Sequence, residues 1–78
     1  MNDREILTDA DLAALAKRCR KKAGKSQLDA ARELRVSKPS IAMAENSPRR
    51  SLFKLRKRII EKYSTFKVVG PACWLEEK

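Results

Sequence analysis

The polar side chains of residues 26 to 46 have types and spacings that suit hydrogen bonding and ion pairing. Ser26 lies three residues before Asp29, which is the spacing of a capping box, where a hydroxyl and a carboxylate close the start of a helix. Ser37 is a second N-cap candidate, and Pro39 follows in a first helical turn, where a missing N–H costs nothing. The segment therefore predicts two short helices joined by a tight turn.

Apolar spacing assigns an inner face to both of these helices. The first should begin at Gln27, and the second should run from roughly residue 38 to 45. The inward residues are expected to be Ala30, Ala31, Leu34, Ile41 and Ala44. Two short helices that cross steeply need small side chains at the crossing, and Ala31 fits that position. The residues left on the outer face of the second helix are Lys38, Pro39, Ala42 and Met43.

This arrangement resembles the helix-turn-helix of the lambda repressor and Cro family, also called the Xre family, over roughly residues 8 to 62. The residues that carry the resemblance are Gln27, Ala31, Val36, Ile41, Glu45 and Asn46. Where the family usually has glycine in the turn, this chain has Arg35, which would have to adopt a left-handed conformation. The resemblance implies a mainly α fold, a four- to five-helix lambda repressor-like DNA-binding domain with a short C-terminal β extension.

An upstream helix is expected to pack against this motif. Thr8 and Asp11 form another capping box, and Gly24 can supply a left-handed cap at the helix end. The core stripe of this helix is predicted to contain Leu12, Leu15, Ala16 and Cys19. The resemblance implies a structural ion pair between Arg20 and Glu45, which would tie this helix to the end of the second motif helix.

Ser47 and Pro48 are expected to start a further helix after the motif. Its core stripe would contain Leu52, Leu55 and Ile59. Arg49 and Arg50 would then lie near a helix N-terminus, where the dipole disfavours cations, so an anion is expected to approach there. The residues expected on a basic, solvated face of the same helix are Arg56, Lys57 and Arg58.

Composition supports a nucleic-acid partner and disfavours several other classes. The 78 residues carry a formal net charge of +9, and most of the 19 basic residues lie between Lys17 and Arg58. Such a field attracts a polyanion and adds salt-dependent affinity. There is no histidine, and Cys19 and Cys73 form neither a disulfide framework nor a metal-ligand cluster, so no metal or cofactor is expected. A redox role for Cys73 is a separate hypothesis.

Catalysis and membrane insertion are not expected from this sequence. The serines fit helix caps, and no base lies at a catalytic spacing from a nucleophile, so the chain is predicted not to be an enzyme. No apolar run approaches the roughly 18 residues of a membrane span, and the first residues lack the pattern of a signal peptide. A cytoplasmic, nucleoid-associated protein is the expectation.

Residues 64 to 78 differ in character from residues 1 to 63, which we assign to the helix-turn-helix domain. Two β-branched and aromatic runs flank Gly70-Pro71, which predicts two short strands around a turn. An isolated pair of strands is marginally stable. The segment is therefore expected either to form a β arm for dimerisation or to fold back on its own domain. The residues predicted for the dimer interface are Phe66, Val68, Trp74 and Leu75.

Together these features predict a homodimeric, sequence-specific transcriptional regulator that represses by occupying a double-stranded DNA operator. The dimer would place two reading helices about 34 to 36 Å apart, in successive major grooves. Lys38 can donate to guanine, and the side chains expected against thymine methyl groups or a nearby base or phosphate are Pro39, Ala42, Met43 and Ser40. The residues expected on phosphates are Gln27, Asn46, Arg49, Arg50 and Lys54.

Two alternatives remain open at the level of sequence. The first is an antitoxin that represses its own operon and binds a toxin, because the region around Glu45-Asn46 and Pro48 resembles HipB-type antitoxins. The second is a basic protein that binds RNA or coats the nucleoid through charge alone. The chain lacks the exposed aromatic platform that single-stranded RNA requires, since its aromatic residues Phe53, Tyr63 and Phe66 fall on apparent core stripes.

Overall fold

Four helices followed by a two-stranded antiparallel sheet make up the described part of the chain. The structure is a computed structural model that describes residues 7–69 and 74–78, with Trp74 described by its backbone alone. The elements are α1 (Asp9–Lys22), α2 (Gln27–Leu34), α3 (Lys38–Asn46), α4 (Phe53–Tyr63), β1 (Phe66–Val69) and β2 (Trp74–Glu77). The predicted fold class, mainly α with a short C-terminal β extension, is confirmed.

The starts of the first two helices are fixed by the predicted capping boxes. The backbone N–H of Asp11 donates to the Thr8 hydroxyl at 3.1 Å, and the N–H of Thr8 donates to the Asp11 carboxylate at 2.9 Å. Ser26 and Asp29 repeat this exchange, with both distances 3.0 Å. Because backbone N–H groups stabilise the charged forms, these bonds hold the pKa of both aspartates below the ordinary value of 3.8.

The turn between α2 and α3 is sharp because one residue adopts the left-handed conformation. Arg35 has φ 58° and ψ 46°, as its position in the motif requires. The N–H of the next residue, Val36, donates to the Ala31 carbonyl at 2.9 Å, which closes the end of α2. Gly24 has φ 74° in the connection after α1, a conformation that costs glycine little.

The core lies between α1 and α4, with α2 and α3 packed against this pair. It is formed by aliphatic residues that are almost completely shielded from solvent. Its members include Leu12, Ala16, Ala30, Ala31, Leu34, Ile41, Ala44, Ile59, Ile60 and Val68. Small alanines at the contacts of α2 let the two short helices approach closely. This packing fixes the orientation of α3.

The helix after the motif begins later than the sequence predicted. α4 starts at Phe53, so the expectation that Ser47 and Pro48 open it was wrong. Residues 47 to 52 instead form a turn, in which the N–H of Arg50 donates to the Ser47 carbonyl and the N–H of Leu52 donates to the Arg50 carbonyl, both at 2.9 Å. These hydrogen bonds join residues three and two positions apart, whereas an α-helical hydrogen bond joins residues four positions apart.

The two strands form a hairpin that packs on the helices of its own chain. β1 and β2 pair in antiparallel register, with Val68 opposite Leu75 and Phe66 opposite Glu77. Val68 is 3% exposed and belongs to the common core. Its backbone N–H donates to the Glu61 carboxylate on α4 at 2.9 Å. The hairpin is thereby fixed to α4, and the predicted turn at Gly70-Pro71 lies outside the described residues.

Candidate nucleic-acid interface

The third helix presents one buried face and one accessible face. Ile41, Ala44 and Glu45 are buried against α1, α2 and α4. At the start of the helix Lys38 and Pro39 are exposed. The predicted base-contacting residues that are half-buried are Ser40, Ala42 and Met43. The first turn of α3 is therefore its most accessible part.

The N-terminus of α3 is closed by a neutral side chain. The Ser37 hydroxyl accepts from the backbone N–H of Ser40 at 3.2 Å and lies 2.7 Å from the Ser40 hydroxyl. The first turn of α3 contains no acidic residue, whereas the equivalent turn holds two aspartates in α1 and one in α2. The positive end of the α3 dipole is thus free of a compensating carboxylate from its own turn.

The C-terminal half of α3 is anchored by a buried ion pair. Arg20 of α1 donates from Nε and Nη2 to the two carboxylate oxygens of Glu45, at 2.6 and 2.9 Å. Both side chains are shielded from solvent, and hydrogen bonding to Glu45 raises the pKa of Arg20. Gln27 donates its amide to Glu45 at 3.3 Å, and Arg20 also donates to the Lys25 carbonyl at 2.7 Å. The carboxylate of Glu45 therefore joins α1, α2 and α3.

The turn after α3 carries two exposed arginines, Arg49 and Arg50, and Asn46 immediately before it is also exposed.

A buried side chain holds this turn in place, and the sequence-based prediction for that side chain was wrong. Arg56, expected on a solvated basic face, is fully buried and donates three hydrogen bonds to backbone carbonyls of α3 and the turn. The helical spacing contained the signal, since Arg56 lies four residues after Leu52 and four before Ile60, on the core stripe.

The N-terminus of α4 lacks a side-chain cap, unlike those of the other three helices. Leu52 is its N-cap residue and forms no side-chain capping bond. Lys54 is exposed in the first turn, and that turn contains no acidic residue. Unsatisfied backbone N–H groups and a positive dipole end at such a site favour an anion. Among the described residues, no ion pair involves Arg49, Arg50 or Lys54.

A second polar cluster, absent from the sequence predictions, links α2 and α4. The Tyr63 hydroxyl donates to Glu33 at 2.6 Å, and Lys25 forms an ion pair with Glu33 at 2.9 Å. The hydrogen bond from Tyr63 lowers the pKa of Glu33, while burial and that carboxylate raise the pKa of Tyr63. Arg58 donates to the Leu34 carbonyl at 2.7 Å. These contacts help to hold α2, which packs against α3, in place.

The residues predicted for a dimer interface are distributed differently. Phe66 is 40% exposed, and Leu75 is half-buried beside it at a cavity of about 460 Å³ between α1, α4 and the hairpin. Val68 lies in the core of its own chain, so it has almost no surface left for a second copy. The Trp74 side chain and the whole of Cys73 lie outside the described residues.

Three other kinds of site concern a cysteine, metal ions and a membrane span. Cys19 is buried, and this burial raises the pKa of its thiol. Within residues 7–69 and 74–78, no cluster of three or more potential ligands is arranged to hold a metal ion. The helices of this part are too short or too polar to cross a membrane.

The two short helices α2 and α3 are joined by a tight turn, and the first turn of α3 is accessible on a basic surface. This arrangement defines a helix-turn-helix DNA-binding protein. A family model described as helix-turn-helix matches residues 17–57, which is more than half of the chain. The chain therefore belongs to the helix-turn-helix family of the Cro and C1 type, whose members are DNA-binding regulators. No curated protein and no solved structure matched the chain.

Proposed function

We propose that this regulator is a sequence-specific repressor that binds its operator as a homodimer, with α3 in the major groove. The observation that carries the proposal is the first turn of α3. It is accessible, begins with Lys38, and has no acidic residue, whereas α1 and α2 place a carboxylate in the same turn. A carboxylate there would repel the phosphates that flank a groove.

Base recognition is assigned to α3. Lys38 would donate to guanine O6 or N7, and Pro39, Ala42 and Met43 would contact thymine methyl groups. The Ser40 hydroxyl already contacts Ser37, so we assign it to the N-cap and to a nearby phosphate. This face contains few side chains that can form two hydrogen bonds with one base. Part of the specificity is therefore proposed to come from DNA shape.

Phosphate contacts are assigned to the exposed residues around the turn and the start of α4. Asn46, Arg49, Arg50 and Lys54 all lie there and are exposed. The uncapped N-terminus of α4 would add backbone N–H donors for the same strand. We also assign Gln27 to a phosphate, as the sequence predicted. Its side-chain amide contacts Glu45 as well. These contacts would set the position of α3 without reading sequence.

The two assignments are separated by comparing Lys38→Ala with Arg50→Ala. Binding is measured on DNA from upstream of the chain's own gene and on scrambled DNA of equal length, at two salt concentrations. Lys38→Ala should reduce the preference for the specific DNA by about ten- to a hundredfold, which corresponds to roughly 1–3 kcal/mol for one base contact. Arg50→Ala should weaken both DNAs alike and reduce the salt slope by about one.

An equal loss on both DNAs in both variants would remove Lys38 from base recognition. A wild-type preference below about a thousandfold would argue against an operator-binding repressor, because specific binding usually exceeds non-specific binding by at least that ratio. Equal binding of RNA and random DNA would instead favour the alternative of a basic nucleic-acid coating protein.

The homodimer is proposed to form through the outer edge of β2. Val68 donates its N–H to Glu61 and Phe66 donates its N–H to Ser64, so the outward donors of β1 already have partners in their own chain. In an antiparallel pair, the residues opposite these two must also point their N–H groups outward. Those residues are Leu75 and Glu77, and no described strand lies beyond β2. A second copy of β2 would complete a four-stranded sheet.

A proline at position 77 tests this edge. Glu77→Pro and Glu77→Ala both remove the contact of the Glu77 carboxylate with Thr65, which is exposed and 3.2 Å long. Only proline removes the outward N–H. Sedimentation equilibrium should show a weaker dimer for the proline variant and an unchanged dimer for the alanine variant. Identical behaviour of the two variants, or a wild-type monomer at all concentrations, would contradict dimerisation through β2.

The antitoxin alternative stays a prediction from the sequence. It requires the same DNA-binding surface together with a second protein. Purification of the untagged protein from its own host would separate the two roles, because a stoichiometric partner encoded beside it would favour the antitoxin. Recovery of the protein without such a partner, bound to operator DNA, would favour the simple repressor.

A further inference from the structure

We infer that Arg56 is a positioning residue for DNA binding, which holds the turn 47–50 in the conformation that presents Arg49 and Arg50 to phosphate. This inference rests on the proposed function, because it gives that turn the phosphate-contacting role. Arg56 itself is 0% exposed and cannot reach DNA. Its effect must therefore pass through the backbone that it binds.

The guanidinium of Arg56 uses all three of its nitrogen atoms on backbone carbonyls. Nε donates to Ala44 at 2.8 Å, Nη1 to Arg50 at 3.0 Å and Nη2 to Ser47 at 2.7 Å. These carbonyls belong to the last turn of α3 and to both ends of the turn 47–50. One planar group thus fixes the end of α3 relative to the turn 47–50. The single backbone hydrogen bond between Arg50 and Ser47 would hold these two parts together less firmly.

Electrostatics explains why a buried arginine is stable here without a carboxylate. The last turn of α3 contains no basic residue of its own, so the negative end of its dipole is uncompensated within that helix. Arg56 brings a cation to this end from α4 and satisfies the Ala44 carbonyl, which lies among the last four carbonyls of α3 that have no helical partner. Charge-assisted bonds to three carbonyls offset the cost of burying the guanidinium.

The consequence for binding is preorganisation. Backbone bonds within residues 47–52 are few, consisting of the Arg50-to-Ser47 and Leu52-to-Arg50 bonds. Two exposed arginines on a loosely held turn would lose conformational entropy on meeting DNA, which reduces affinity. With Arg56 in place, this ordering occurs when the protein folds. Lysine cannot replace it, since an ammonium is a single point of charge and cannot span three separate carbonyls.

The test compares Arg56→Met and Arg56→Lys with Lys57→Met. Lys57 is the adjacent residue, is half-buried, and forms no hydrogen bond or ion pair within the described residues. Lys57→Met therefore removes the same charge without touching the turn. Affinity for a short random-sequence DNA duplex is measured over a range of salt concentrations, at a temperature where circular dichroism shows each variant to be folded. Amide hydrogen exchange of Arg50 and Leu52 is measured in the free wild-type protein.

We expect Arg56→Met to bind at least tenfold more weakly than Lys57→Met, with a salt slope smaller by about one to two, because Arg49 and Arg50 together would neutralise about one to two phosphates fewer. Arg56→Lys, which keeps the charge, should resemble Arg56→Met more than wild type. The amides of Arg50 and Leu52 should be protected in the free protein.

Equal affinity and equal salt slope for Arg56→Met and Lys57→Met would overturn the positioning role. Exchange of the Arg50 and Leu52 amides at the rate of an unstructured peptide, before DNA is added, would also overturn it, and this measurement needs no variant to fold. If the wild-type protein bound no DNA at all, the proposed function would fail and this inference with it. The two kinds of failure are therefore distinguishable.

Discussion

The two ends of α3 are built from different kinds of contact. At its beginning, Ser37 and Ser40 form a cap from residues three apart in the chain, and Lys38 is exposed. At its end, Glu45 is held by Arg20 of α1, while the Ala44 carbonyl is held by Arg56 of α4. The beginning of α3 is determined by local contacts and is accessible, whereas Ala44 and Glu45 near its end are buried and held by contacts with other helices.

This difference teaches how a short helix can be both firmly placed and open to a partner. A helix of nine residues is too short to be stable by itself, so its position must come from contacts with the rest of the domain. Many of those contacts involve Ala44 and Glu45, away from the exposed residues at the start of the helix. Lys38 and Pro39 can therefore vary without loss of the fold, and Ala44 and Glu45 cannot.

The largest effect is expected from Glu45→Ala. This change leaves Arg20 buried without its carboxylate, and breaking one partner of a buried pair costs about 3–5 kcal/mol. Urea unfolding followed by circular dichroism would measure the loss, which is a large part of the total stability of a small domain. Lys25→Ala is the matched control, because it breaks a partly exposed ion pair with Glu33 and should cost only about 0.2–1 kcal/mol. Similar costs for the two variants would contradict the comparison.

A smaller effect is expected from Ser37→Ala. It removes the acceptor for the Ser40 N–H, and loss of an N-cap usually costs about 1 kcal/mol. Ser40→Ala is the control, since it removes only the contact between the two hydroxyls and keeps the cap. The same urea titration measures both. If Ser37→Ala destabilised the protein as much as Glu45→Ala, the beginning of α3 would not be the locally determined end.

The smallest effect concerns pH and distinguishes the cap of α3 from those of α1 and α2. Hydrogen bonds from Ser26 hold the pKa of Asp29 below 3.8 in the folded chain. A depressed folded pKa gives stability that is complete above the unfolded pKa and is lost as the pH falls through the folded pKa. The melting temperature of wild type should therefore fall more steeply below about pH 4 than that of Asp29→Asn.

The α3 cap is neutral, so Ser37→Ala should lower the melting temperature by a similar amount at each pH over this range. A pH-dependent difference between Ser37→Ala and wild type would indicate that a titrating group contributes to the beginning of α3. An unchanged acid limb in Asp29→Asn would indicate that the capping box of α2 does not contribute to acid unfolding.

Much of the helix-turn-helix was predictable because its determinants are close in sequence. The capping boxes place the starts of α1 and α2 at the expected residues, and the turn requires Arg35 in the left-handed region, where it lies. Each depends on residues within about four positions, so one sequence window contains both partners. The predicted start of α4 was wrong because it depends on contacts with a residue that is farther away in the sequence. Ser47 and Pro48 have good local signals, but the carbonyls of the turn are occupied by Arg56.

The hairpin shows the same limit. Two β-branched and aromatic runs predicted two strands, and the strands exist, but such runs cannot say which surface their apolar side chains will meet. The structure places Val68 on the core of its own chain, with its N–H bonded to Glu61. That outcome depends on a carboxylate seven residues away and on the position of α4.

The sequence by itself determined the starts of α1, α2 and α3, the left-handed turn, the apolar stripes and the basic character of the chain. Short-range hydrogen bonding, backbone sterics and total charge can be read from neighbouring residues. Only the tertiary structure decided that Arg56 is buried and donates hydrogen bonds to three carbonyls, while Arg49 and Arg50 remain exposed. All three are arginines in a basic segment. Their roles differ because burial of a charge depends on which acceptors the folded chain brings within about 3 Å of it.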